Sequence, residues 1–208
     1  TPLSPRRSFS AWRESVTGRS LPWGEHAQDA FDLGEEIRSA MIARTQAELA
    51  ELALRDALTG LHNRRFLDDR LDELLHGSEA AVAVVFLDLD DFKLINDTYG
   101  HEMGDAVLAA IGRRLSGVAR NSDIVVRLGG DEFVIVCVSA GPEEAAAIAG
   151  RALAAITEPI TVRGVEVAVG ASAGVVAAER GISPGGLLDA ADAAMYRAKR
   201  DGGGRVSA

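Results

Sequence analysis

Apolar and polar positions change their rhythm along the chain, and the changes mark its parts. Residues 1–24 show no sustained period; with three prolines, both tryptophans and several arginines they cannot build a core alone, and they read as an arm that packs against something else. Residues 25–55 lack proline, contain only Gly34 as a glycine, and are rich in Ala, Glu, Leu and Arg, which predicts one long helix. Its apolar residues do not form one stripe. Ile42, Thr45, Leu49 and Leu52 follow a 4-3 seam, while Leu33, Ile37, Ala40, Ala47 and Leu54 follow a second, rotated seam interrupted at Arg44 and Glu51. A helix packed on its own domain and a parallel two-stranded coiled coil able to sit in two registers are both compatible with this pattern. Two weak seams in place of one strong seam favour the switchable connector.

Beyond residue 55 the pattern alternates between strands and helices. Gly60 is placed as the stop of the long helix and Asn63 as the cap of the next, which runs to about Leu75 and buries Phe66, Leu67, Leu71, Leu74 and Leu75. Residues 81–87 are continuously apolar, as in a strand covered on both faces. A helix over 94–118, entered through a turn-like 96–104, presents Val107, Leu108, Ile111, Leu115 and Val118. Residues 123–126 and 133–138, joined through Gly129-Gly130, predict a hairpin. A helix follows over 142–156, then a strand pair over 162–176 turning at Arg163-Gly164. Ser183-Pro184 caps a last helix whose Leu187, Leu188, Ala191, Met195 and Tyr196 face the core. Residues 201–208 are glycine-rich and expected to fray.

Composition narrows the function classes. The 208 residues are 47% hydrophobic, enough for one good core plus an appendage. A net charge of −9 argues against a nucleic-acid groove binder. No apolar run approaches a membrane span and no signal peptide is visible, so no membrane partner is expected. The one cysteine, Cys137, lies in a strand-like run and reads as a small buried hydrophobe, which fits a reducing cytoplasm. Thr1 opens the chain without a methionine, as expected of a piece of something longer.

Two places carry candidate chemistry. In the hairpin Arg127-Leu128-Gly129-Gly130-Asp131-Glu132-Phe133, a turn bare of side chains is followed at once by two carboxylates. Such a turn suits a polyanion held through a metal ion, with backbone N–H groups meeting phosphate and carboxylates meeting the cation. The apolar strand ends in Asp88-Leu89-Asp90-Asp91-Phe92-Lys93, and carboxylates at the end of a central strand lie where α/β sheets place ligands. His62 has no second His or Cys spaced to join it, so it reads as an orienting or packing residue.

These two segments, Asp56-Ala57-Leu58-Thr59-Gly60-Leu61-His62-Asn63-Arg64-Arg65, and Ile95-Asn96-Asp97-Thr98-Tyr99-Gly100-His101-Glu102-Met103-Gly104-Asp105, together resemble the GGDEF family of diguanylate cyclases over residues 56–206. The resemblance implies an α/β fold, a central five-stranded sheet flanked by helices, related to class III nucleotidyl cyclases. It implies Asp88 and Asp131 as metal carboxylates with the Leu89 carbonyl as a third oxygen, a set suited to Mg²⁺, two ions per active site. Glu132 matches a carboxylate that either binds metal or deprotonates the attacking 3′-hydroxyl. Gly129 and Gly130 form the substrate turn, Lys93 and Lys199 match phosphate contacts, and Asn96 and Asp105 match guanine readers that would select GTP. Two plainer roles stay open: Asp105 capping its helix and Lys199 serving a helix C-terminus.

The same resemblance implies condensation of two GTP into cyclic di-GMP in a two-fold homodimer, with the preceding helix as a parallel coiled-coil control rod. Arg120 and Asp123 match the family's RxxD product-inhibition site, and Arg151 falls where a second arginine is often placed; a surface Arg–Asp pair of little energetic value is the alternative. A non-catalytic effector that binds cyclic di-GMP or GTP is the competing function. One departure concerns nucleotide affinity: members usually close the last helix with Gly-Arg-Asn, whereas Gly203 stands here where that arginine would be. Either Arg205 reaches back or a phosphate contact is missing. In the arm, Pro5-Arg6-Arg7-Ser8-Phe9 and Trp12-Arg13-Glu14 resemble the tongue of a bacterial phytochrome's PHY domain, and Gly18-Arg19-Ser20-Leu21-Pro22-Trp23 the entry to its last helix. Arg6 would then contact a chromophore-binding domain absent from this chain, the only place for biliverdin. The implied organisation is 1–24 arm, 25–55 signalling helix and 56–208 cyclase domain.

Overall fold

The computed structural model describes residues 26–77 and 80–208, so the arm and its tongue-like motifs lie outside the described residues. The chain divides into two units, Thr1–Ala50 and Glu51–Ala208. The long helix α1 spans His26–Leu52, and Phe31, Leu33, Ile37, Met41, Ile42, Leu49 and Leu52 each keep more than half of their surface exposed. It stops at Leu52 rather than at Gly60, which leaves Leu54 of the second seam beyond its end. The stop is made by chain that folds back. The Asn63 amide donates to the carbonyls of Ala53 (2.9 Å) and Arg55 (3.3 Å), while its Oδ1 accepts from Phe66 N (3.1 Å) and caps the next helix as expected. Among the described residues no helix is long and apolar enough to cross a membrane.

The second unit is built on a six-stranded sheet in the order β1-β3-β4-β2-β7-β8. Its strands are β1 (His62–Asn63), β2 (Val82–Asp90), β3 (Ile124–Gly129), β4 (Glu132–Val138), β7 (Gly170–Ala177) and β8 (Val206–Ser207). A separate two-stranded hairpin, β5 (Ile160–Val162) and β6 (Val165–Val167), turns through Arg163 and Gly164, both at positive φ. The expected central sheet flanked by helices is present; the outermost strands, two residues each, bring its count to six. The expected strand pair over 162–176 resolves into the small hairpin and β7.

The apolar run of β2 is buried on both faces, and its period of two sorts the core. Ala83, Val85, Leu87 and Leu89 meet α3 (Phe92–Tyr99), α4 (His101–Val118) and α5 (Pro142–Thr157) through Phe92, Ile111, Leu115 and Ile148. Val82, Val84 and Phe86 meet α2 (Arg64–Gly77) and α6 (Pro184–Arg200) through Leu67, Leu71, Leu187 and Met195. Each fully buried Val, Leu or Phe here contributes about 1.5–3 kcal/mol relative to exposure. The expected single helix over 94–118 is two helices, because Gly100 (φ 84) breaks it. Tyr196, expected inward, is 61% exposed. The C-terminus does not fray: β8 lies parallel to β7, and Ala173 N donates to the Arg205 carbonyl at 3.0 Å. Cys137 is buried in β4, and burial pushes its thiol up to about 12.

One ion pair fastens the loop before β1 to the β3–β4 turn. Asp56 accepts from Thr59 N (2.8 Å) and Thr59 Oγ1 (2.7 Å), and its two oxygens lie 3.1 and 3.2 Å from Arg127 Nη1. Arg127, only 11% exposed, also donates through Nε and Nη2 to the Gly130 carbonyl, at 3.0 and 2.8 Å. Burial alone would raise the Asp56 carboxyl, but the Thr59 and Arg127 hydrogen bonds outweigh it and hold the group below its ordinary value.

Two stability predictions follow from these contacts. A Cβ at Gly174 of β7 would overlap the backbone of α6 at Ala191, Ala194 and Met195, so Gly174→Ala should lower stability by about 3 kcal/mol, the upper end of overpacking costs, in urea unfolding. Because Asp56 has a lower pKa folded than unfolded, its stabilisation is present at neutral pH and lost as pH falls through that folded value. Asp56→Asn should therefore be less stable at pH 7 by about 1–3 kcal/mol and lose less of its urea midpoint than the parent as pH falls below about 4, where the parent's Asp56 takes up its proton.

Candidate active site

The site forms where β2, the β3–β4 turn and the end of α6 meet. Side-chain parity puts Asp88 and Asp90 of β2 on the α6 face. Asp88 lies directly across from Glu132 of β4 on one side and Ser172 of β7 on the other. Asp131 occupies the turn, and its carbonyl accepts from Leu89 N at 3.3 Å. Gly129 (φ 152) and Gly130 (φ 52) both take positive φ, and the pairing of β3 with β4 shifts between Arg127 and Gly129.

Four carboxylates thus gather at the carboxyl end of the central strand β2, Asp88, Asp90, Asp131 and Glu132. Burial, reinforced by Asp131 and Asp90, outweighs pairing with Lys199 and raises Asp88 above its ordinary value. Burial, then repulsion from Asp88, Asp131 and Asp192, raises Glu132, with Arg64 opposing. Lys199 of α6 places Nζ 2.5 Å from Asp88 Oδ1. Burial works against its charge, but the bond to Asp88 and the charges of Asp88, Asp90 and Asp131 hold its proton more firmly than in an ordinary lysine. Asp88 and Glu132, both raised by burial and by neighbouring carboxylates, fit a divalent cation that would relieve the repulsion. Among the described residues no three His, Cys, Asp or Glu side chains converge as a preformed cage. Asp88, Asp131 and the Leu89 carbonyl would hold Mg²⁺ as a partial oxygen set that phosphate and water complete.

Lys93, Asn96 and Asp105 lie on the two helices that follow β2. Lys93 is exposed in the first turn of α3. Asn96 lies in α3 against Gly104, where a Cβ would overlap its Oδ1, so the glycine is what lets the amide sit there. Asp105 is exposed and beyond the first turn of α4, whose N-cap is Gly100 with no side-chain bond; Asp105 does not cap the helix. At the other expected site the Arg120–Asp123 contact runs through the backbone: Arg120 N donates to Asp123 Oδ2 at 2.9 Å. The Arg120 guanidinium leans toward Glu144 at 3.5 Å, and Arg151 is exposed on α5.

Asp90, Ser172 and the glycine loop were not foreseen in their roles. Asp90 accepts from Ser172 Oγ at 2.8 Å and from Gly204 N at 3.1 Å, and a Cβ at Gly203 would press on it at 3.2 Å. Gly202, Gly203 and Gly204 all have positive φ. The position of the usual arginine therefore closes over a carboxylate that needs the space. Arg205 does not reach the acid cluster in its place; its Nε donates to the Gly203 carbonyl at 3.4 Å. Strand parity was the available signal, since it sets Ser172 on the same face as Asp88 and Asp90.

Comparison with known proteins agrees with this geometry. The model described as "Diguanylate cyclase, GGDEF domain" matches residues 53–205, about three quarters of the chain, and a "Phytochrome region" model matches residues 1–48. The diguanylate cyclase TpbB of Pseudomonas aeruginosa is 40% identical over 185 residues, covering 85% of this chain and 42% of that protein. The bifunctional diguanylate cyclase/cyclic di-GMP phosphodiesterase MucR of the same species is 39% identical over 175 residues, covering 80% of this chain and 25% of that protein. The chain thus spans between a quarter and about two fifths of the length of these curated relatives. The coiled coil and GGDEF domain of DgcB from Caulobacter crescentus, solved in complex with c-di-GMP, superposes with a TM-score of 0.81 at 26% identity, covering 87% of this chain and 98% of that one. By sequence, by fold and by the order of its motifs, the chain belongs to the GGDEF family of diguanylate cyclase domains.

Proposed function

We propose that this chain is the catalytic end of a sensor-controlled diguanylate cyclase that condenses two GTP into cyclic di-GMP and two pyrophosphates as a homodimer. The observation that carries this reading is the side-by-side placement of Asp88 and Glu132 across β2 and β4, with Asp131 in the adjoining turn and Lys199 bonded to Asp88. Effectors without activity have no need for Asp88 and Glu132 side by side beside Asp131 at the end of a central strand, where burial and neighbouring carboxylates raise both groups. Bound Mg²⁺ would neutralise phosphate charge and sharpen the electrophilic α-phosphorus. The chain's residues do the rest. Asn96 and Asp105 present acceptors to the guanine N1–H and N2 amino group, which adenine lacks. Lys93 and Lys199 meet the phosphates, and the bare Gly129-Gly130 turn lets backbone N–H groups approach them. A 3′-oxygen forms its bond to the α-phosphorus of the other GTP as the bond to pyrophosphate breaks; the hydroxyl proton leaves to Glu132 or to solvent. Each subunit brings one GTP, so the two-fold dimer completes both halves of the reaction.

In this reading residues 56–208 form the cyclase domain, residues 25–55 are the coiled-coil connector, and residues 1–24 are the end of a phytochrome-type sensor whose chromophore domain lies in another part of the protein. The protein works in the cytoplasm, where its nucleotides are. Arg120 and Asp123, with Arg151 nearby, form a product-inhibition site.

Turnover should depend on the metal carboxylates. Asp131→Asn or Asp88→Asn should abolish cyclic di-GMP formation from GTP, as should chelation of Mg²⁺, while circular dichroism stays at parent level; undiminished product from Asp131→Asn would sink the assignment. The connector gives a second test. Thr45→Leu strengthens one seam and Ala47→Leu the other, so basal activity in the sensor-linked dimer should move in opposite directions. Equal activity in both variants and the parent would make the helix a passive clamp.

A further inference from the structure

Four carboxylates meet at the end of β2, and Asp90 differs from the other three. Among the described residues it alone of the four has both oxygens engaged by donors of the chain: Oδ1 accepts from Ser172 Oγ at 2.8 Å and Oδ2 from Gly204 N at 3.1 Å. Asp88 shares one oxygen with Lys199. Ser172 is fully buried, so its hydroxyl needs this acceptor. The Asp90 carboxylate also sits between two glycines. A Cβ at Gly170, its register partner on β7, would come within 3.0 Å of Oδ2, and one at Gly203 within 3.2 Å. A carboxylate held this closely is suited to fixing backbone, the other three to meeting a ligand.

What Asp90 fixes is the exit of α6. The helix ends in a Schellman turn, with Gly203 N donating to the Ala198 carbonyl and Gly202 N to the Lys199 carbonyl, both at 3.1 Å. The next residue, Gly204, is the one Asp90 holds. Lys199 therefore lies between two ties to the same strand. Its own Nζ is 2.5 Å from Asp88 Oδ1, and the turn that follows it is bonded to Asp90, on the same face of β2. A lysine has a long flexible stem with large rotamer freedom, so the aim of its ammonium depends on how firmly its backbone is placed. Arg205, behind the turn, donates to the Gly203 carbonyl and brings no second cation to the cluster. We infer that Asp90 is a positioning residue: with Ser172 it clamps the exit of α6 onto β2 and so aims Lys199 at the phosphates of GTP. The inference rests on the cyclase reading and on Lys199 as a phosphate contact, and it assigns Asp90 a task separate from metal binding.

The chain has only two lysines, Lys93 and Lys199, so lysine carrying carbon-13 at Cε gives one NMR signal for each. The test records these signals in the whole chain for the parent, Ser172→Ala, Asp90→Ala and Asp90→Asn, beside KM and kcat for GTP. Asparagine can keep both bonds, accepting from Gly204 N and donating to Ser172 Oγ. Ser172→Ala, which changes no charge, and Asp90→Ala should both move the Lys199 signal toward that of the exposed Lys93. Asp90→Ala should also raise KM for GTP about tenfold, the cost of a charged hydrogen bond, with a smaller change in kcat. Asp90→Asn should recover most of both effects. A parent-like Lys199 signal in Ser172→Ala would overturn the clamp, and it decides the matter even where Asp90→Ala fails to fold. An Asp90→Asn chain as impaired as Asp90→Ala would overturn it too, since Asp90 would then act through its charge. A displaced Lys199 with unchanged KM would remove the aim at the phosphates. A parent that makes no cyclic di-GMP would sink the cyclase reading, while the Lys199 signals would still decide the clamp.

Discussion

The Gly129-Gly130 turn depends on a side chain outside the acid cluster, that of Arg127. Arg127 spends one nitrogen on Asp56 and the other two on the Gly130 carbonyl. A Gly-Gly turn has high conformational entropy when free. Here a nearly buried guanidinium pins its carbonyl to a loop that is itself folded by Thr59. That loop runs straight into Asn63, which ends α1 and starts α2. The residues just after α1, the first strand and the Gly129-Gly130 turn are therefore one hydrogen-bonded unit, and the carboxylates of Asp131 and Glu132 emerge from it at a fixed place.

The second constraint is electrostatic. Strand parity forces Asp88, Asp90 and Glu132 onto one face, and the fold answers with Lys199 from α6, Ser172 from β7 and the Gly204 amide. This arrangement explains the family departure at Gly203. With the glycine loop wrapped over Asp90, a side chain at that position would press on the carboxylate and need a positive φ that L side chains rarely adopt. The loop then leads into β8, which secures the end of α6 and with it Lys199.

Much of this was legible from residue order alone. The unbroken apolar run of β2, the hairpin about Gly129-Gly130, the Ser183-Pro184 cap and the inward stripe of α4 are local signals, and each became the element it implied. The misses share a cause: they turn on contacts between residues far apart in sequence. A single Gly100 does not announce that it splits a helix, because Gly104 must also admit Asn96. Three glycines and an arginine look frayed until β7 offers them an edge. Tyr196 fits the inward stripe by spacing, yet it is exposed while Gly174 brings the α6 backbone close to the sheet. Arg127 and Asp56 are separated by 71 positions, and no period connects them.

Cys137 has a practical consequence for the laboratory. Thiol reagents attack the thiolate, and this sulfur is fully buried in β4 with its proton held up to about 12. The folded chain therefore offers nitroxide and fluorophore maleimides no native target. A cysteine introduced at an exposed position of α1, such as Leu33, would take up the label on this chain while Cys137 stays in place.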